Sequence, residues 1–225
     1  MVQSPEQNKL QTIFQPQTGK EGFSTENTDM IKSTIKSSTY AAMYRLLDMV
    51  SPVDSDCGLL CGSICCSDPD NSALLGMQLL PGEDKIHNKK DSWLQWDTDE
   101  AEDLDYPESW KGKVFFVKCN GPSKCKRYLR PIQCRTYPLM PYINSDNRLT
   151  LALNAFNVPY ICPLKDGDEV VPLNESFIRA TYTVWKRLIT DPLIFDLVKM
   201  DSNDFDFNGI NVRIVYCGDT VYGNN

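Results

Sequence analysis

The chain has 225 residues and a formal net charge of −7 at pH 7, with 41% hydrophobic and 24% charged residues. This composition is ordinary for a globular protein, and the length is ample for one well-cored domain. Binding to nucleic acid requires a basic surface, so the acidic balance argues against nucleic acid as a partner. No stretch approaches the ~20 apolar residues that a transmembrane helix needs, so we expect no membrane partner.

The N-terminal 27 residues are rich in Gln, Ser and Thr and are interrupted by Pro5 and Pro16. We interpret residues 1–27 as a mobile arm and residues 28–225 as a single domain. The arm lacks the apolar segment of a secretory signal, which favours a cytoplasmic location. In that reducing compartment, clustered cysteines more often bind metal or do redox chemistry than form stable disulfides.

Periodicity predicts an irregular α+β domain with a small antiparallel sheet. Apolar residues at near-helical intervals predict an N-terminal helix within Asp29–Val50, ended by Ser51 and Pro52. The acidic run from Asp97 to Asp105 reads as a solvated loop. Clusters of β-branched, aromatic or aliphatic residues predict short strands at residues 74–80, 93–96, 114–117, 149–153 and 212–216. The C-terminal part, residues 173–200, has a helical pattern, and Asp191-Pro192 marks the start of a second helix there.

The nine cysteines are the most informative feature of the sequence. Eight of them form two groups of four, and Cys217 stands apart near the C-terminus. The groups are Cys57, Cys61, Cys65 and Cys66, then Cys119, Cys125, Cys134 and Cys162. Thiolates at such short spacings can converge on a soft metal ion such as zinc or iron. We therefore predict a metal-binding core over about residues 54–165, held together by bound metal.

The spacing within the first group bears on how many metals are bound. Cys57, Cys61 and Cys65 follow an i, i+4, i+8 pattern, which would place them on one side of a helical or turn-like segment. Neighbouring side chains such as Cys65 and Cys66 diverge, so both rarely serve one tetrahedral ion. The pair suggests two metals, or one metal with Cys66 in another role.

Several cofactor arrangements fit eight thiols. They could form two four-thiolate zinc sites, a dinuclear centre with bridging sulfurs, or an iron–sulfur cluster beside a structural zinc. Some of the cysteines could instead be buried free thiols, which is the favoured interpretation for Cys217.

Other residue types near the cysteines are candidates for supporting roles. Arg130 and Arg135 flank Cys134 and could offset the negative charge of the thiolates. Glu83 follows Pro81-Gly82, where a carboxylate could ligate or act as a base, or could be an ordinary exposed turn residue. His87 is the only histidine, which excludes sites that need two. We expect it to be exposed to solvent.

The cysteine pattern, together with Arg130-Pro131-x2-Cys134-Arg135-x-Tyr137-Pro138, resembles the zinc- or iron-chelating cysteine-cluster family (YkgJ-like) over residues 54–165. The segment ending in Pro81-Gly82-Glu83 is similar to an element of one bacterial branch of that family. The resemblance implies that the eight cysteines are the ligands and that Glu83, Arg130 and Arg135 belong to the functional region. Flagellin lysine N-methylase has a similar cysteine arrangement, so by analogy an enzyme of methyltransferase type is conceivable.

Three functions follow from these patterns. The first is a zinc- or iron-binding protein whose cluster is structural or a store. The second is an enzyme or electron carrier built on an iron–sulfur cluster. The third is a thiol redox sensor in which cysteines cycle through disulfides. The sequence identifies no substrate, no protein partner and no nucleophile–base pair.

Overall fold

The computed structural model describes residues 30–66, 76–166 and 171–218. This part of the chain mixes helices with small antiparallel sheets, which confirms the α+β class. The predicted arm and residues 74–75 of the first predicted strand lie outside the described residues. The helices are α1 (Ser37–Asp48), α2 (Gly58–Cys61), α3 (Ile132–Thr136), α4 (Glu175–Leu188) and α5 (Pro192–Phe207). The strands are β1 (Met77–Gln78), β2 (Leu94–Glu100), β3 (Lys113–Cys119), β4 (Leu139–Ile143), β5 (Leu149–Leu153) and β6 (Ile214–Tyr216).

The strands form two three-stranded sheets, ordered β1-β3-β2 and β4-β5-β6, and every pairing is antiparallel. β2 pairs with β3 from Leu94 opposite Cys119 to Glu100 opposite Lys113. The prediction of a loop starting at Asp97 was therefore wrong for residues 97–100. These residues stay extended because β3 offers them a complete hydrogen-bonding edge, while their side chains remain exposed or half-buried.

Helix α1 starts at Ser37, later than the start of the apolar pattern at Asp29, because the preceding residues are extended and bound elsewhere. The Ile31 amide donates to the Lys113 carbonyl at 3.1 Å. The Ser33 hydroxyl and the Thr34 amide donate to one carboxylate oxygen of Asp191, at 2.8 and 2.6 Å. The backbone amides of Ile31 and Thr34 therefore donate outside α1 and not to carbonyls of a longer helix.

The predicted break between two C-terminal helices at Asp191-Pro192 is confirmed, and the second helix extends to Phe207. The Asp191 side chain caps α5 by accepting from the Leu193 amide at 3.0 Å, and it is only 1% exposed. One buried carboxylate thus fixes both the start of α5 and the segment that leads into α1.

The main core lies between α1, α4, α5 and the β4-β5-β6 sheet, and its fully buried side chains include Tyr40, Leu151, Phe177 and Leu188. A separate apolar cluster lies on the β1-β3-β2 sheet. The cysteine-bearing segments connect these two regions. In the described part of the chain, no helix has the length and apolarity needed to cross a membrane.

Candidate metal centre

All eight candidate ligands lie within the described residues. Cys162 is buried, Cys65 is exposed, and the other six are half-buried. Most of them lie in short elements, namely α2, a 3₁₀ turn over Ile64–Cys66, the end of β3, and α3. Short elements joined by loops leave the thiols accessible to an ion.

The first cysteine group is not one continuous helical face. Helix α2 ends at Cys61, and Gly62 and Ser63 both have positive φ angles, +65° and +59°. This turn lets the Ser63 amide donate to the Gly58 carbonyl at 2.9 Å, and a Cβ at Gly58 would collide with the Ser63 hydroxyl. The turn therefore ends the helical register of Cys57 and Cys61 before Cys65 and Cys66.

The sulfur atoms of the neighbouring residues Cys65 and Cys66 lie closer together than the sequence suggested. The Sγ atoms of Cys65 and Cys66 are 3.8 Å apart, which matches the sulfur–sulfur separation of a tetrahedral site with Zn–S bonds of ~2.3 Å. The expectation that neighbouring side chains must diverge applies to regular helices and strands, whereas these residues lie in a 3₁₀ turn. Both sulfurs can therefore face one metal region.

Cys66 lies near three cysteines of the second group. Burial raises the pKa of Cys134 to about 12, and negative charge on Cys66 and Cys125 adds to the increase. A hydrogen bond with Cys125 is the main cause of the raised pKa of Cys119, and Cys66 contributes to it as well. Cys66, Cys119, Cys125 and Cys134 thus form one set of interacting thiols drawn from both parts of the sequence.

Cys57, Cys61 and Cys162 form a second set, and Cys65 lies between it and the first. Burial is the main cause of the raised pKa values of Cys57 and Cys162, and neighbouring thiols add to it: Cys162 acts on Cys57, and Cys61 acts on Cys162. Cys65 joins the two sets, since its pKa is raised mainly by the hydrogen bond with Cys66 and further by Cys134 and Cys57.

Arg130 supplies positive charge to the thiols. Its Nε atom donates to the Cys125 Sγ atom at 3.0 Å. A hydrogen bond from Cys119 lowers the pKa of Cys125 to about 6, with help from Arg130 and against the effect of burial. Likewise, a hydrogen bond from Cys65 lowers the pKa of Cys66 to about 7. These contacts favour the thiolate at Cys66 and Cys125, and the thiolate is the form that binds metal.

Arg135 and Glu83 support the site without contacting a sulfur. The Arg135 guanidinium binds the Asp48 carboxylate at 3.1 Å and the Tyr128 carbonyl at 2.8 Å, which ties α3 to α1. Glu83 is fully buried, so the interpretation as an exposed turn residue was wrong. It accepts hydrogen bonds from the amide of Ile132 and the hydroxyl of Tyr44, both at 2.7 Å.

The Leu80 amide also donates to Glu83, at 3.1 Å. Because Ile132 begins α3, this buried carboxyl anchors the helix that carries Cys134. Burial raises the pKa of Glu83. His87 is half-buried against Trp93 and Trp96, although its polar neighbours in sequence suggested full exposure. Its Nε2 atom is 3.1 Å from the Tyr44 hydroxyl.

A largely apolar cavity of about 270 Å³ adjoins the thiols. Its lining includes five of the eight cysteines, namely Cys65, Cys66, Cys119, Cys125 and Cys134. Residues of β4 and α5, including Asp201, form another part of the wall. Asp201 was not among the residues predicted from the sequence. Its position was a signal, because it lies three residues after Val198 and four before Phe205, and both of these residues are buried on one face of α5.

Asp201 should make stability depend on pH. Burial, followed by the charges of Asp204 and Asp105, raises its pKa from 3.8 to about 8. The folded protein then holds a proton that the unfolded chain releases, so this group's stabilising contribution is full below pH 3.8 and is lost as pH rises to about 8.

The free energy of unfolding of the Asp201→Asn variant should therefore fall less than that of wild type between pH 3.8 and about 8. Each unit of pKa difference is worth ~1.4 kcal/mol, so the slopes should differ measurably in urea unfolding at several pH values. Asp196→Asn, on the same helix but outside the cavity lining, is the matched control. Equal slopes for Asp201→Asn and wild type would contradict the prediction.

Within the described residues, no three His, Cys, Asp or Glu side chains are already grouped closely enough to hold a metal ion. Metal binding would therefore require the thiols of each set to move closer together. The sequence matches no family model, and comparisons with curated proteins and with solved structures give no match either. The resemblance to the YkgJ-like family thus depends on the motifs alone.

Proposed function

We propose that this protein binds zinc or iron through its eight clustered cysteines. The observation that supports the proposal best is that cysteines from two distant parts of the sequence, Cys66 and then Cys119, Cys125 and Cys134, line the same cavity. Thiolate sulfur is a soft ligand suited to zinc and to iron–sulfur clusters. Reduced thiols at this density also fit the cytosol, where disulfides are rare.

The two interacting sets suggest how the ligands are divided. We infer one site at Cys66, Cys119, Cys125 and Cys134, and another at Cys57, Cys61, Cys65 and Cys162. Arg130 would partly neutralise the first site, because four thiolates around a divalent ion leave a net negative charge. Bound metal would supply charge neutralisation and a crosslink between the sheet of β3 and the loops that carry the other thiols.

Metal analysis of protein purified without oxygen tests this proposal. We expect bound zinc, or iron with a brown visible spectrum if an iron–sulfur cluster forms. Cys134→Ser should lose the metal of the first site, and Cys61→Ser that of the second, each retaining the other. Cys217→Ser is the control, because Cys217 stands apart from both groups in the sequence and is exposed, so the expectation that it is buried was wrong.

Two outcomes would overturn the proposal. One is wild-type protein without metal both as purified and after anaerobic incubation with zinc or ferrous ions. The other is equal metal loss in Cys217→Ser and Cys134→Ser. A brown, iron-containing protein would favour the iron–sulfur enzyme or electron carrier over a zinc-binding role.

A thiol redox role is the second candidate, and the Cys119–Cys125 pair favours it. A thiolate with a lowered pKa beside a hydrogen-bonded thiol is the arrangement from which disulfides form. In the same experiment, metal-free protein with a reversible Cys119–Cys125 disulfide would support this role over metal binding.

A further inference from the structure

We propose that the cavity beside the thiols binds a small organic cation, with an ammonium group and a hydrogen-bond acceptor on a largely apolar body. This inference goes beyond metal binding and does not depend on it. The cavity walls are mainly apolar, yet four polar atoms of lining residues have no hydrogen-bond partner within the described part of the chain. These atoms are the Oδ1 atoms of Asp201 and Asn154, the Nε2 atom of Gln78 and the hydroxyl oxygen of Tyr137.

Asp201 determines the charge of the ligand. Its Oδ1 atom is enclosed, and an enclosed carboxyl oxygen without a partner carries an energetic cost that a bound donor would remove. The charged groups that act on Asp201 are Asp204 and Asp105, and both are acidic and exposed. The negative charge of Asp201 in turn contributes to the raised pKa of a third neighbour, Tyr106, after the larger effect of burial. The local field therefore favours a cation over an anion.

The walls around Asp201 favour an organic cation over a metal ion. Leu197 and Val198 precede Asp201 by one helical turn, and Met140 on β4 also lines the cavity. Calcium and magnesium need about six oxygen ligands, which this mostly carbon surface does not provide. An ammonium group needs only a carboxylate and one or two further acceptors, so its binding would displace the proton that Asp201 holds in the free protein, and an attached apolar body would cover the walls.

Gln78 and Asn154 determine the other polar features of the ligand. Gln78 is 8% exposed, and its Nε2 atom is a buried donor that a carbonyl or hydroxyl oxygen could satisfy. The backbone carbonyl of Gln78 is 3.3 Å from the Gln133 side chain, which helps to hold the residue in place. The Asn154 Oδ1 atom is a second acceptor for the ammonium group or for a neutral donor. The volume of about 270 Å³ suits a ligand of one ring or a short alkyl chain.

Phenylalaninamide tests the proposal, because it combines an ammonium group, a carbonyl and an apolar ring. Its matched neutral analogue, 3-phenylpropanamide, lacks only the ammonium group. With the protein as purified, we expect phenylalaninamide to bind at least about tenfold more tightly in calorimetry or NMR titration. Asp201→Asn should abolish this difference, whereas Gln78→Leu should weaken both compounds alike. Asp196→Asn should behave as wild type.

The outcomes separate this proposal from its alternatives. Equal affinity of the two compounds for wild type, or no binding of either up to ~10 mM, would overturn it. So would an unchanged preference in Asp201→Asn, whose folding is verified by its melting temperature. Calcium or magnesium binding that Asp201→Asn removes and that displaces phenylalaninamide would identify a metal site instead. Metal content measured on the same samples shows separately whether the thiol sites are loaded.

Discussion

Under the proposed metal binding, removing the metal should unfold the cysteine-bearing segments while the helical core stays folded. The short turns at residues 58–61, 64–66, 122–124 and 127–129 contain no fully buried side chain, so apolar packing holds them weakly without a crosslink. The helices α4 and α5 and the β4-β5-β6 sheet instead share one large buried cluster. Structural zinc can contribute on the order of 10 kcal/mol of folding free energy.

Hydrogen exchange before and after treatment with a strong chelator measures this effect. We expect residues 57–66 and 119–134 to lose protection, while residues 175–207 keep theirs. Readdition of zinc should restore protection, which distinguishes metal loss from irreversible damage. Unchanged exchange in both cysteine segments after verified metal removal would contradict a structural role for the metal.

Replacing Glu83→Ala should cause the largest loss of stability of any single change to a polar residue discussed above. It leaves the buried amides of Leu80 and Ile132 without their acceptor, and the Tyr44 hydroxyl keeps only its contact with His87. Each such donor costs ~1–3 kcal/mol, so the free energy of unfolding should fall by about 3 kcal/mol or more. For a chain of this length that corresponds to a drop of roughly 6–12 °C in melting temperature.

Glu83→Gln should have an intermediate effect on the melting temperature. Glutamine keeps the shape and one acceptor oxygen, but its NH2 group replaces the other oxygen and faces a hydrogen-bond donor. Asp84→Ala is the matched control, since this acidic neighbour is half-buried rather than enclosed. Thermal unfolding followed by circular dichroism measures all three variants. A melting temperature of Glu83→Ala equal to that of Asp84→Ala would show that the buried carboxyl does not anchor α3.

Much of the secondary structure follows from local patterns. The apolar run Val114–Val117 predicted the core of β3, and Asp191-Pro192 predicted the break between α4 and α5, because a proline at the first helical position and an acidic cap are local signals. β4 was not predicted, since Pro141 interrupts its pattern. It forms a strand because β5 pairs with it along its whole length, from Leu139 to Ile143.

Burial of polar residues was much harder to predict. Glu83 follows a turn and His87 has polar neighbours in sequence, so local sequence was compatible with exposure of both side chains. Tertiary packing instead encloses Glu83 and half-buries His87. Asp201 likewise becomes a cavity residue only because β4 packs against α5. These environments depend on contacts between residues far apart in the chain, which local periodicity does not encode.

By itself, the amino-acid sequence determined the chemistry available to this protein: eight thiols in two groups, Arg130 beside them and one histidine in total. Side-chain type and spacing are properties of the chain before it folds. Only the tertiary structure decided that Cys66 shares a cavity with Cys119, Cys125 and Cys134, that Glu83 anchors α3, and that Asp201 faces the same cavity. These arrangements arise when separate elements pack together, because packing sets the distances between groups that the sequence places far apart.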